Sequence, residues 1–242
     1  MLSRSIIAEE AVTAGVWSRR KRMIEIANVT KKFERFICLD HVSMTIPDGT
    51  IYGLVGENGA GKSTLLRLIA GVLRADEGEI RIDGDKVPHV AAKQKIFYMP
   101  DNQYYEKNAT PLTVGDFYRT FYPSFAMEEY RYLLEQFGLE EGALVETFSK
   151  GMKKQMFIAA AVCANTGYLL CDEVFDGLDP QVRITVKDLL KSAAAGRNMT
   201  ILMVSHYLEE LDRICNMRGF LHRGRILGKE EWDRLALGGV GA

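Results

Sequence analysis

Eight residues, Gly56-Glu57-Asn58-Gly59-Ala60-Gly61-Lys62-Ser63, fit the pattern GxxxxGK(S/T) and stand between a short apolar run and a helical one. The chemistry this arrangement serves is polyphosphate binding. Its glycines let successive backbone N–H groups converge on phosphate oxygens, the N-terminus of the following helix adds positive potential, and Lys62 reaches the β and γ phosphates. Ser63 offers a hydroxyl to Mg²⁺, and Thr64 extends the loop's polar edge. Asp172, 110 residues beyond Lys62, closes a second apolar run in Cys171-Asp172-Glu173. At the carboxyl end of a strand, where open α/β sheets bind their ligands, Asp172 can hold Mg²⁺ through water. Glu173 can take a proton from an attacking water, a role worth roughly 10²- to 10⁴-fold in rate. Alone, an Asp-Glu pair after a strand reads as a solvated turn, and the phosphate loop is what gives it a catalytic reading.

The elements that must position these groups follow from periodicity. Ile51-Tyr52-Gly53-Leu54-Val55 is a buried strand feeding the loop, and Leu65 to Ala70 has helical character ending at Gly71. Tyr168-Leu169-Leu170-Cys171 and Thr200 to Val204 read as two further buried strands, with a helix from Pro180 to Ala195 between them. That order gives a parallel α/β core. Ile24 to Ala27 and His41 to Ile46 alternate apolar and polar residues and read as antiparallel edge strands, the second closing in a Pro47-Asp48-Gly49 turn. Thr113 to Ala164 reads as helices. Twelve of the 21 Phe and Tyr residues fall between Phe97 and Phe137, with Phe117, Phe121 and Phe125 at helical spacing beside Tyr118 and Tyr122. Such a stripe reads as the core of a small helical lobe, or else as an aromatic groove that receives another protein's helix.

Bulk composition narrows the classes. The chain has 242 residues, 47% apolar and 26% charged, enough for a substantial core. Lys plus Arg number 31 against 32 Asp plus Glu, so no basic excess points to a nucleic-acid partner. Cys38, Cys163, Cys171 and Cys215 lie far apart with no metal-ligand spacing, which suits free thiols. No apolar stretch reaches the 18 or so residues of a spanning helix, so membrane spans would come from a partner. Residues 1–22, ending in Arg19-Arg20-Lys21-Arg22, lack the pattern of a signal peptide and read as a frayed tail, or as sequence upstream of a start at Met23.

From Met23 to about Leu237 these pieces resemble the ATP-binding cassette family. Phe148-Ser149-Lys150-Gly151-Met152 looks like its signature LSGGQ, Leu178-Asp179 resembles its D-loop, and Ser205-His206 its switch histidine. Phe33, 23 positions before Gly56, corresponds to the aromatic residue that stacks on adenine, a contact worth about 1–3 kcal/mol for base stacking in general. The resemblance implies a P-loop core with a parallel sheet, an N-terminal antiparallel β subdomain and an inserted helical subdomain at about 101–165, all within one domain over 23–242. It implies ATP and Mg²⁺ as ligands, with Asp101 at the glutamine position of the Q-loop near the metal and Gln103 as the competing assignment. Lys150, Met152 and Val174 depart from the family pattern, while Ser149 and Gly151, which the family uses to grip the γ phosphate across a dimer, are kept. With one phosphate loop and one signature, the chain would pair with itself or a similar ATPase and power a separate multi-span permease from the cytoplasmic face, with export the favoured direction. Asp176 to Pro180, with Val182-Arg183 and Leu208 to Leu211, looks most like the Ytr-type ATPases of Gram-positive exporters. The competing readings are a cassette ATPase that remodels a soluble complex, a P-loop kinase, and a weakly catalytic regulatory module.

Overall fold

The computed structural model describes residues 22–238; apart from Arg22, the tail expected over 1–22 lies outside the described residues. In chain order these form β1 (Met23–Phe33), β2 (Phe36–Pro47), β3 (Ile51–Val55), α1 (Lys62–Ile69), β4 (Glu77–Ile82), β5 (Asp85–Lys86), the short α2 (Val90–Lys93), β6 (Ile96–Met99), α3 (Pro111–Phe121), α4 (Met127–Gln136), α5 (Lys150–Cys163), β7 (Tyr168–Asp172), α6 (Pro180–Arg197), β8 (Thr200–Ser205), α7 (Leu208–Asp212), β9 (Met217–His222), β10 (Arg225–Leu227) and α8 (Lys229–Gly238). An antiparallel sheet runs in the order β2-β1-β4-β5, and a second sheet in the order β10-β9-β3-β8-β7-β6. In the second, β9, β3, β8, β7 and β6 are parallel and only β10 is antiparallel. The fold class is the one expected: an α/β core with a parallel sheet, an antiparallel part toward the N-terminus, and helices inserted between β6 and β7.

The central strands divide the interior by the two-residue period of a pleated backbone. Ile51, Val55, Leu169, Cys171, Ile201 and Met203 enter one core with residues of α5 and α6. Tyr52, Leu54, Tyr168, Leu170, Leu202 and Val204 enter another with α1 and the antiparallel sheet. Every residue of β3, β7 and β8 is buried, as parallel strands covered on both faces must be. One expectation is corrected. Ile24 to Ala27 belong to no edge, because β1 pairs with β2 on one side and with β4 on the other. Alternation in sequence reports which face of a strand is buried and carries no information on which of its edges is paired.

The aromatic stripe splits where the chain turns. Helix α3 ends at Phe121, and its cap Tyr122 is extended, at φ −118 and ψ 92, because Pro123 follows it. Tyr118 and Tyr122 face inward over Phe97, with ring centroids 4.9 and 5.3 Å away, and Phe125 is buried beside Tyr130. Phe117 and Phe121 face outward, 53% and 61% exposed. The lobe-core reading holds for Tyr118, Tyr122 and Phe125, while Phe117 and Phe121 stay on the surface.

Gly115 lies on the inner side of α3, where a Cβ would come within 2.8 Å of the Tyr130 ring. That ring is fully buried and pinned by its hydroxyl, which donates to the Pro111 carbonyl at 3.1 Å. In an open helix Gly→Ala stabilises by about 1 kcal/mol. Here overpacking wins, and Gly115→Ala is expected to destabilise by about 1–3 kcal/mol, read from the midpoint of denaturant unfolding.

Candidate functional site

Register pairing brings the carboxyl ends of four strands level. Val55 of β3 lies opposite Ser205 of β8, Val204 opposite Asp172 of β7, and Cys171 opposite Met99 of β6. The segments that follow these ends carry the phosphate loop, Asp172-Glu173, His206 and Asp101. Four stretches spread over 150 residues of sequence thus meet on one edge, where open sheets bind ligands.

Gly61 caps α1 with φ 105, in the left-handed region, and a Cβ on it would lie 2.8 Å from a methyl of Leu39 and 2.9 Å from the Cys38 carbonyl. Only glycine gives this turn at no cost. Helix α1 begins at Lys62, three residues before the expected run, so the helix N-terminus opens directly onto the loop. Lys62 is buried, and its Nζ donates to the carbonyls of Gly56 at 2.6 Å and Glu57 at 3.1 Å. Burial draws its pKa down, opposed by the carboxylates of Glu173 and Asp172. Asp172 is buried too. Burial pushes its pKa up, a hydrogen bond with Ser63 pulls it down, and the charges of Glu173 and Asp101 raise it further. A cation beside Asp172 would oppose that rise by favouring the charged carboxylate.

These groups line a cleft of ≈ 430 Å³ that holds Asn58, Gly59, Gly61, Lys62, Ser63, Thr64, Asp101, Asp172 and Glu173. Among the described residues no three His, Cys, Asp or Glu side chains stand together as a cage for a metal. Ser63 and Asp172, with Asp101 nearby, are a hard-oxygen set too small to complete an octahedral ion alone, which suits Mg²⁺ completed by phosphate and water. Glu173 adopts φ 48, uncommon for a residue with a Cβ, and its Oε1 lies 3.0 Å from His206 Nδ1. Gly56, Glu57 and His206 border a neighbouring cleft, and Ala60 is buried beneath the loop, its carbonyl accepting from the Gly224 N–H at 3.0 Å.

Other sequence-predicted residues stand apart. Phe33 sits at the tip of the β1–β2 hairpin, 45% exposed, with Lys31 Nζ 5.5 Å from its ring centroid, and does not line the phosphate cleft. Ser149 caps α5 by accepting from the Met152 N–H at 3.1 Å, and Asp179 caps α6 by accepting from Gln181 and Val182 at 3.0 Å each. Neither residue, nor Gly151, reaches the cleft. Lys150 pairs with Asp176 at 2.7 Å. Gln103 folds back to donate to the Pro100 carbonyl at 2.6 Å and does not line the cleft, whereas Pro100, Asp101 and Asn102 of the same loop do.

Three residues near the site escape a reading of motifs. Arg67 lines the cleft one helical turn after Ser63, a spacing that could have flagged it. Cys38 arrives from β2 with its Sγ 3.3 Å from Thr64 Oγ1, and nothing local in the sequence signals that meeting. Lys154 is the one lysine of α5 that is buried, its side chain 1% exposed, and nothing in the run Lys153-Lys154-Gln155 marks it out from its neighbours.

The family model described as "ABC transporter" matches residues 39–176. The ABC transporter ATP-binding protein YtrB of Bacillus subtilis is 36% identical over 215 residues, covering 88% of this chain and 73% of that protein. Methionine import ATP-binding protein MetN of Desulfitobacterium hafniense is 33% identical, covering 84% and 64%. Nod factor export ATP-binding protein I of Sinorhizobium fredii is 34% identical, covering 84% and 61%, so the chain spans less than two thirds of these last two relatives. A solved structure of an ATP-binding subunit of an ABC transporter superposes with TM-score 0.79 at 26% identity, covering 91% of this chain and 95% of that one. With its phosphate loop, paired carboxylates and histidine on one sheet edge, this chain belongs to the ABC transporter family, among its ATP-binding, ATP-hydrolysing cassettes.

Proposed function

We propose that the chain, as a single domain over 23–242 with a helical lobe at about 101–165, is one of two cassettes that hydrolyse ATP on a multi-span membrane partner. In this reading Lys62 and the loop amides hold the β and γ phosphates, and Ser63, Asp172 and Asp101 hold Mg²⁺. The ion, when bound, would neutralise phosphate charge. Glu173 takes the proton of the attacking water, and His206 orients the carboxylate through their 3.0 Å contact.

The observation that supports pairing is that Ser149, Gly151 and Asp179 line no part of the cleft on their own chain. Ser149 and Gly151 as γ-phosphate ligands, with Asp179 beside them in the D-loop, would serve a second copy, or a similar chain, whose ATP closes the interface. Loss of the γ phosphate then lets the halves part. Phe33 would meet adenine at the edge of that shared site.

Docking to a membrane partner is supported by a second cleft of ≈ 200 Å³, lined by Tyr104, Tyr105, Phe117, Tyr118 and Phe157. Among the described residues no helix is long and apolar enough to cross a membrane. The exposed rings of the cleft, Tyr104 and Phe117, suit an apolar helix or loop from a partner, which would hold the chain at the inner face of the membrane. Export is the direction proposed, in line with the Nod factor export relative, and the MetN name makes import the competing outcome.

Glu173→Gln is expected to lower hydrolysis by about 10²- to 10⁴-fold and to trap an ATP-dependent dimer in light scattering. A variant that stays monomeric in ATP would overturn the pairing. Phe117→Ser with Phe121→Ser is expected to release the membrane partner while leaving ATP affinity within about threefold, since the two sites do not share side chains. Affinity capture of the tagged chain from native membranes tests the transport reading. A multi-span protein in the eluate supports it, and recovery only with a soluble assembly overturns it. ATP-driven solute flux in vesicles of the recovered complex gives the direction.

A further inference from the structure

Lys154 lies near the start of α5, on a stretch from Lys154 to Cys163 that is buried throughout. Its side chain is 1% exposed, so its charge is withdrawn from water almost entirely. An ammonium so placed must find acceptors inside the protein. It finds two. Lys154 Nζ lies 3.2 Å from Asp101 Oδ1 in the loop after β6, and 2.6 Å from the backbone carbonyl of Glu173 in the turn after β7.

The second contact falls on an unusual piece of backbone. Glu173 holds a left-handed φ of 48 with a full side chain, a conformation that persists only when surrounding contacts fix it. Its N–H donates to the Val204 carbonyl at 3.1 Å, and its own carbonyl accepts from the Asp176 N–H at 3.1 Å as well as from Lys154. The charge-assisted bond from Lys154 is the shortest of the three. The backbone twist fixes where the Glu173 side chain leaves the chain, and Lys154 is the side chain bonded to the carbonyl of that turn. Through Asp101 the same ammonium is tied to a loop that lines the phosphate cleft.

We propose that Lys154 is a positioning residue for hydrolysis, holding the left-handed turn that aims the Glu173 carboxylate and linking that turn to the Asp101 loop through one buried ammonium. This rests on the reading of Glu173 as the proton acceptor. Lys154 touches neither phosphate nor water in this role. It acts through the Glu173 backbone, so its loss should slow the chemical step and spare nucleotide binding.

The test is single- and multiple-turnover ATP hydrolysis by the purified full chain, with ATP affinity measured separately by a fluorescent ATP analogue. Lys154→Met is expected to lower kcat by about 10- to 100-fold with KM and affinity within about threefold, since a shift near 1 Å in a reacting group costs on that order. Lys154→Gln keeps one donor without the charge and is expected to fall between. It carries the comparison if a thermal melt shows that the methionine variant has not folded. Combining either variant with Glu173→Gln is expected to add less than about a twofold loss, because both changes remove the same function.

A kcat within about twofold of the unsubstituted chain, with Glu173→Gln inactive, would overturn the role of Lys154 and leave the base assignment standing. A loss as large in the Glu173→Gln background as in the parent would also overturn it, pointing to a general structural defect. Hydrolysis at the parent rate by Glu173→Gln itself would overturn the base assignment, and this proposal with it.

Discussion

Parallel pairing between β3, β8, β7 and β6 is a backbone event that depends on no catalytic side chain, yet every catalytic candidate takes its place from it. Once Val55 stands opposite Ser205 and Asp172 opposite Val204, β3, β8 and β7 end within a residue of one another. A slip of one residue in β7 would send Asp172 to the opposite face and exchange the two sets of core residues, because side chains alternate. The two cores therefore protect the site's geometry. Leu169 and Cys171 in one, and Tyr168 and Leu170 in the other, make any other register expensive.

The edge so formed concentrates opposite charges in little water. Lys62 and Lys154 are both buried; the first donates to the backbone carbonyls of Gly56 and Glu57, and the second to the Glu173 carbonyl and the Asp101 carboxylate. Removing an ammonium from water costs several kcal/mol unless its donors are met. Lys62 has carbonyl partners that a phosphate could replace, whereas Lys154 bridges two segments and has no opening toward a ligand. Two residues of one type thus serve different ends, one kept ready to bind and one kept in place.

The phosphate loop, the Asp172-Glu173 pair and the strands β3, β7 and β8 were legible because their chemistry is local: the residues that define each are contiguous, and burial on both faces leaves an unbroken apolar run. Strands β4, β5, β9 and β10 carry no such run, and β6 has only a short one. β6 is four residues long inside an aromatic-rich stretch, and β9 carries Arg218 and Gly219 at positions where an apolar run would be sought. The end of α3 was readable from Pro123, but the i, i+4, i+8 spacing of Phe117, Phe121 and Phe125 suggested a helix that ran on. Lys154 and Cys38 depended on contacts across 19 and 26 residues or more, which periodicity cannot see. The meeting of Asp101 with the cleft was read from family likeness, and its bond to Lys154 only from the fold.

The outward rings of α3 bear on how much of this protein a cell can keep. Phe117 and Phe121, with Tyr104 84% exposed close by, form an oily patch on a chain whose net charge is only −1. So little net charge gives weak mutual repulsion between copies. On the proposed docking to a membrane partner, a copy synthesised beyond that partner's supply would display the patch to chaperones and proteases, which recognise such surface. Matching the abundance of the two subunits would then need no dedicated regulator, since surplus copies would be removed through the same rings that are proposed for docking.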